Sequence, residues 1–397
     1  MPYLSYLIFR LVTFPITIMP YSWIHAIGNT LGLLLFYLYP KYRKRALSNL
    51  ALASKLNLSP PQIKKLAKQS LQSLMITFLE YPKLAREKNI SRIATCDNPE
   101  TALQLLSSDS GVIFFCGHQA NWELFFLEGT SRMNGVAIGR PIKNTYLYNW
   151  VQDLRQKFGG KIVAPKNALK EGLRALKSPT FFGIVGDQGM PNSGFSSSFL
   201  GRRAWTSPLP ALLSLRTNRP IIVATNKRFH GKYIIHYSDP IWPSHDSNPE
   251  SLMTQVLAIF EKTIIENPSQ WLWIHNRWKQ SLPTKLPKRL RQECLAIIFP
   301  TLSLAQEALP SFKKIYPLEF ITVFIPQGSN IALLPPDIEY KHYKNIQDIL
   351  ITDYRFKLIY DFTHTPAIKK HFLSLSAFHV ETPSSIQDIT KWENHAS

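Results

Sequence analysis

Short runs that are apolar at almost every position alternate, through the middle of the chain, with stretches whose apolar residues recur every three or four positions. The runs are GVIFFCG (111–117), VAIGRP (136–141), KIVAP (161–165), FFGIVGDQ (181–188), PIIVATNKRF (220–229) and KYIIHYSDPIW (232–242). Their length and their lack of polar alternation predict buried strands. Between them, 145–158, 166–177, 207–217 and 249–266 carry the helical period. Alternation of this kind predicts an α/β fold with a mostly parallel sheet flanked by helices. Ahead of the strands, 58–85 predicts a helix. Ser59 and Gln62 make a capping box, proline fills the first turn, and Ile63, Leu66, Ser70, Leu71, Leu74 and Phe78 form a stripe.

The N-terminus has a different pattern. No Asp, Glu, Lys or Arg lies between Arg10 and Lys41, and YSWIHAIGNTLGLLLFYLYP (21–40) is apolar with aromatic residues near both ends. Twenty helical residues rise about 30 Å, the thickness of a hydrocarbon core, so this segment predicts an N-terminal membrane helix. Pro15 and Pro20 break the helix before it, which leaves 3–19 as an interfacial or re-entrant piece, and attachment by one span or monotopically both fit. Lys41, Arg43, Lys44 and Arg45 follow, which places the rest of the chain on the cytoplasmic side.

Charge divides the chain of 397 residues. The net charge is +20, yet residues 1–289 hold 36 basic and 15 acidic residues against 10 and 11 in 290–397. SLPTKLPKRL (281–290) reads as the linker, giving an anchor at 1–40, a main domain at 41–285 and a smaller module at 290–397. In the module, 294–326 reads strand, loop, helix, strand. FKLIYDFT (356–363) is a third strand, followed by a helix, which together make one Rossmann-like half. It weakly resembles the first half of heptosyltransferase-type glycosyltransferases, but it lacks their Gly-Asp after the first strand and the nucleotide-sugar half, so a non-catalytic module is expected. The basic excess of the main domain implies an anionic partner, which the N-terminal segment identifies as anionic membrane lipid rather than nucleic acid.

Several chemistries lack their residues. There is no GxxxxGK[ST] and no GxGxxG, the GFSSS stretch lacks the last glycine of a nucleophile elbow, and neither the histidines nor Cys96, Cys116 and Cys294 have metal-ligand spacing. What remains is His118, placed just after a strand at the carboxyl end of the sheet, with Glu123 five positions on in the first turn of a helix beginning near Asn121. A carboxylate there would fix the imidazole tautomer, and the helix N-terminus would face a developing oxyanion. The pair suits a general base that activates a hydroxyl with no protein nucleophile. A structural histidine beside a capping glutamate fits the same spacing.

HQANWE (118–123) resembles the H-x4-(D/E) block of membrane glycerolipid acyltransferases, and in its Asn-Trp-Glu form the bacterial lipid A late acyltransferases of the lauroyl/myristoyl type. Four more stretches are similar to that family in order and spacing: YRKRALSNL (42–50), GRPIKNTYLYNWVQDLRQKFGGKIV (139–163), VGDQGMPNSGFSSSFLGRRAWTSPLPALLSL (185–215) and NPSQWLWIHNRWKQ (267–280). The resemblance implies transfer of a fatty acyl chain from acyl carrier protein, or coenzyme A, to a hydroxyl of a Kdo-bearing lipid A precursor at the inner membrane. The acyl thioester is then a co-substrate, with no cofactor or metal, and a monomer is expected. His118 and Glu123 would be catalytic. Asn121, Arg140, Arg155, Asp187 and Gln188 would bind substrate. Arg202 and Arg203 would meet phosphate groups or form an exposed basic face, and Trp271, Trp273 and Trp278 would pack the core. Two departures, the missing second acidic residue after Asp187-Gln188 and Trp278 in place of Phe, bear on acceptor and chain length. Acylation of another lysophospholipid or glycolipid, and an inactive envelope scaffold, are the competing readings.

Overall fold

A computed structural model describes residues 1–108, 110–281 and 286–393. The main sheet has seven strands: β1 (Ala94–Cys96), β2 (Val112–Cys116), β3 (Gly135–Ile138), β4 (Lys161–Val163), β5 (Phe181–Val185), β8 (Ile221–Phe229) and β9 (Lys232–Tyr237), while β6 (Phe195–Phe199) and β7 (Arg202–Thr206) form a separate hairpin. The helices are α1 (Pro2–Thr13), α2 (Tyr21–Leu38), α3 (Pro40–Leu52), α4 (Pro60–Arg86), α5 (Glu100–Ser107), α6 (Glu123–Thr130), α7 (Thr145–Gln156), α8 (Ala168–Ala175), α9 (Leu209–Thr217) and α10 (Pro249–Glu266). The sheet order is β1-β9-β8-β2-β5-β3-β4, and every neighbouring pair is parallel except β8 with β9. All five residues of β2 are buried, as an all-apolar central strand requires.

The N-terminal membrane helix is not supported: among the described residues no helix is long and apolar enough to cross a membrane. Polar Ser22, His25, Asn29 and Thr30 interrupt α2, and the helix spends one face inside the protein. Ile24, Gly28, Gly32 and Phe36, spaced four apart, are buried, and a Cβ on Gly32 would stand 2.3 Å from the Gln72 Cα of α4. The opposite faces of α1 and α2 remain apolar and exposed, including Leu11, Val12, Trp23 and Leu38. Helix α1 lies against α7 through Tyr3 on Tyr146 and Phe9 on Trp150.

The C-terminal sheet contains β10 (Cys294–Ile298), β11 (Phe320–Pro326), β12 (Glu339–Tyr343), β13 (Leu358–Asp361) and β14 (His379–Glu381) in the order β12-β11-β10-β13-β14, all parallel. Numbered within the module that is 3-2-1-4-5, among the described residues a doubly wound order that lacks only a sixth strand, so the module extends past the single Rossmann-like half expected from the sequence by two strands. The proposed linker falls partly on residues 282–285, outside the described ones. One hydrophobic cluster joins Leu47 and Leu50 of α3 to Ala296, Phe356 and Phe372 of the C-terminal sheet and its helices. Beside it, Lys357 donates to Asn49 and to Glu293, all three being buried.

Candidate active site

The site forms where β2 and β5 end. Cys116 pairs with Val185 in parallel register, so two residues further on His118 stands opposite Asp187. The intervening residues are glycines for a packing reason. A Cβ on Gly117 would lie 2.0 Å from the Phe260 ring and 2.9 Å from the Asp187 carboxylate, and one on Gly186 would lie 2.3 Å from the Phe115 ring. The close approach lets Asp187 Oδ1 accept from His118 Nδ1 at 2.7 Å, while Oδ2 accepts from the His118 backbone N–H at 2.7 Å and the Trp271 indole N–H at 2.8 Å. Asp187 is fully buried. Burial opposes its ionisation, but the His118 ring and backbone N–H, with His275 further off, hold the carboxyl far below the usual range. A carboxylate accepting at Nδ1 leaves Nε2 as the basic nitrogen.

This corrects the pairing expected from H-x4-E. The hydrogen bonds of Glu123 go elsewhere: Arg155 donates to both of its oxygens, at 2.7 and 2.6 Å, and the Tyr81 hydroxyl donates at 2.6 Å. Burial would raise the Glu123 carboxyl, yet Arg155 and Tyr81 hold it below its ordinary value, and Glu123 in turn raises Arg155 against the effect of burial. The two are a bidentate, charge-assisted pair. Helix α6 begins at Glu123, two residues later than expected, and the Glu123 N–H is occupied by the Asn121 side chain at 3.2 Å. The first turn therefore does not offer that N–H to an oxyanion.

His118, Glu123 and Arg155 line one cavity of about 420 Å³ with Arg140, Gln188 and the aliphatic side chains of Ile138, Ile162, Ile184 and Leu209. Arg140 and Gln188 are exposed at its wall. Asn121 is not in the wall. It is fully buried, donates to Glu80 at 2.7 Å, and its carbonyl accepts from Asn226. A larger concavity of about 620 Å³ on the C-terminal sheet, lined by polar groups such as Ser329, His342 and Lys344, holds no comparable histidine–carboxylate pair.

Four contributors escape sequence reasoning. Tyr81 and Ser70 reach the site from α4, Ser70 by donating to the Trp271 carbonyl at 2.7 Å. His275 packs edge-on against the His118 ring, 4.3 Å between centroids, and burial together with the neighbouring His118 lowers it to about 4, so it is neutral. Arg45 does not line the cavity, but it stands one helical turn before Asn49, whose amide donates to the Trp273 and His275 carbonyls, and its charge helps to lower His275. Spacing within 267–280 could have suggested His275; nothing local could have suggested Tyr81. Trp271, Trp273 and Trp278 are buried as expected, and Trp271 also orients Asp187. Arg202 lies over the Phe320 ring and Arg203 donates to the Leu318 carbonyl, so this basic pair packs on the C-terminal module.

The arrangement offers a buried aspartate, an imidazole with one committed nitrogen, a cavity with aliphatic walls and two arginines. His118, Asp187 and His275 also present ligand atoms within 4.8 Å of one another, a spacing open to a metal, but the Asp187 oxygens already accept three N–H groups. The model of the bacterial lipid A biosynthesis acyltransferases matches residues 2–280. The chain belongs to this family. It is therefore an acyltransferase of lipid A biosynthesis, and the matched region contains the whole site. No curated protein matches the chain.

Proposed function

We propose that this acyltransferase moves a lauroyl- or myristoyl-type chain from acyl carrier protein to a hydroxyl of a Kdo-bearing lipid A precursor. The observation that carries this reading is the His118 imidazole, its Nδ1 held by Asp187, in the wall of a cavity with aliphatic sides and arginines. The acceptor O–H gives its proton to His118 Nε2 as its oxygen attacks the thioester carbonyl. The tetrahedral intermediate collapses, the C–S bond breaks, and the thiolate takes the proton back from Nε2, leaving an ester and a free carrier thiol. Asp187 fixes the tautomer and stabilises the imidazolium, the part a carboxylate plays in a serine-protease triad. Arg155, held by Glu123, offers its positive charge to the thioester oxygen. Arg140 would meet the phosphates or carboxylates of the acceptor, with Arg45 adding positive charge nearby, and Gln188 would meet a polar group at the cavity wall. Asn121 acts by position rather than contact. No cofactor or metal enters this chemistry.

The acyl chain fits the aliphatic cavity, where each buried methylene contributes about 0.8 kcal/mol. The exposed apolar faces of α1 and α2 seat the protein in the cytoplasmic interface of the inner membrane without crossing it, next to its lipid substrate, and the basic excess of residues 1–289 favours anionic lipid and an acidic carrier protein. The test is mass spectrometry of lipid A from cells depleted of the protein, beside transfer by the purified enzyme. Loss of one secondary acyl chain, restored by the wild-type chain, is expected; unchanged acylation would refute the proposal.

A further inference from the structure

Glu80 lies near the C-terminal end of α4 with none of its surface exposed, and its carboxylate collects donors from three other elements. His25 of α2 donates from Nε2 at 2.6 Å. Asn121 of the catalytic loop donates from Nδ2 at 2.7 Å. The Tyr233 hydroxyl of β9 lies 2.8 and 2.7 Å from the two oxygens. A carboxyl group this deep is costly unless its oxygens are hydrogen-bonded. None of these groups lines the acyl cavity.

The partners of Asn121 show where the effect goes. Its Oδ1 accepts the Glu123 N–H, so the amide links Glu80 to the first turn of α6. The same face of α4 holds the loop twice more: the Thr77 hydroxyl donates to the Ala120 carbonyl at 2.8 Å, and Tyr81 donates to Glu123. Residues 77, 80 and 81 share a helix face by the three-to-four spacing. The loop needs such clamps, because Ala120 sits at φ +45°, a conformation a residue with a Cβ avoids unless its surroundings impose it. His25 is equally constrained. One turn after it, a Cβ on Gly28 would come 2.6 Å from the Ile76 side chain, so the α2 and α4 backbones are in close contact and α2 cannot slide without moving His25. The far side of α2 is the exposed apolar face carrying Trp23, Ile27 and Leu34.

We propose that Glu80 is a positioning residue that ties α2, through His25, to the catalytic loop through Asn121, making the seating of the N-terminal helix a condition for a correctly placed His118 and Glu123. The proposal rests on the acyl-transfer reading, and it adds a function for two residues remote from the cavity. A helix whose outer face suits a lipid surface is thereby connected to the site by two consecutive hydrogen bonds to a single carboxylate.

The test uses the full-length protein in detergent micelles and four substitutions. Glu80→Gln keeps the volume, but its amide nitrogen cannot accept from a donor. His25→Leu removes the donor, while His25→Gln retains a donor at the same reach. Gln306→Ala, at an exposed position of the C-terminal helix over 302–315, is the control. Glu80→Gln is expected to lower kcat at least 10-fold and His25→Leu about 5-fold, with KM for donor and acceptor within 2-fold, and His25→Gln to restore at least half of the wild-type kcat. Amide hydrogen exchange, which needs no activity, is expected to rise at least 10-fold over residues 119–123 in the first two variants and to stay unchanged over β10–β13. Unchanged exchange at 119–123 would overturn the tether, and so would a uniform rise across the whole chain, which marks a purely structural role. A wild-type enzyme that transfers no acyl group refutes the reading of function instead, and the exchange result still decides the tether.

Discussion

Two buried aspartates lie at the carboxyl ends of parallel strands, one in each of the two larger sheets, and they use their oxygens differently. Asp187 follows β5 and directs both oxygens across to the neighbouring strand's loop, onto the His118 ring and backbone N–H, with Trp271 as a third donor. Asp361 ends β13 and bonds its own loop: Oδ1 accepts from the Thr363 N–H and hydroxyl, and Oδ2 from the Thr365 N–H. Both are fully buried. The first orients an imidazole and the second caps a turn. A carboxylate at the carboxyl end of a parallel strand thus becomes part of a site only when the register of the adjacent strand brings it a group able to carry a proton. The charge follows the same division, since the basic excess lies entirely with the sheet that holds His118.

The largest expected effect separates these sheets. His118→Ala should lower kcat by about 10²–10⁴-fold, the range lost with a general base. Asp361→Asn should leave kcat unchanged and cost about 1–3 kcal/mol of stability by placing an amide against buried N–H donors, read by denaturant unfolding. An Asp361 variant that lost activity while remaining folded would end the comparison.

The regions should also differ in the sign of their pH dependence. His275 is lowered to about 4 by burial and by His118, so between its unfolded value near 6.5 and 4 the unfolded chain binds a proton that the folded chain refuses, and stability is lost as pH falls through that window. Glu319 is raised to about 7 by burial, with backbone hydrogen bonds opposing, so the folded chain holds a proton that the unfolded chain releases, and stability is lost as pH rises from about 4.5 to 7. Each contributes up to about 3 kcal/mol. His275→Gln should flatten the acid limb of the melting temperature against pH, and Glu319→Gln the limb from 4.5 to 7. Slopes that either variant leaves unchanged would contradict the assignment. Least in size is the cavity: Ala137→Leu should shift preference to a shorter acyl chain by about 3–4-fold in kcat/KM per methylene displaced, measured with a series of donors.

Much of the fold is legible because its signals are local. The capping box at Ser59 and Gln62, the helix over 249–266 and the apolar run of β2 appear where the pattern puts them. What was missed is short or polar. β1 has three residues, β12 reads EYKHY, and the β6–β7 hairpin runs through serines and arginines. Phe78 looks like part of the α4 stripe and is exposed, because Thr77 and Glu80 take the buried face for hydrogen bonding. The membership of the site was largely readable and its wiring was not. Four residues separate His118 from Glu123, which suggests a local pair, while the partner that binds Nδ1 is 69 positions away and is brought there by strand register. Asn121 illustrates the same limit, since its position inside the motif suggested substrate contact and burial made it a strut.

The wiring is open to a direct measurement: steady-state kinetics of purified Asp187→Asn beside Glu123→Gln, with an acyl-carrier donor and a Kdo-bearing acceptor. Asp187→Asn should lower kcat at least 10²-fold with little change in KM, because the tautomer is lost while the cavity remains, and Glu123→Gln should cost about 10-fold through a loosened Arg155. An Asp187→Asn enzyme near the wild-type rate, with Glu123→Gln reduced 10²-fold or more, would return the imidazole to Glu123 and contradict the dyad described here.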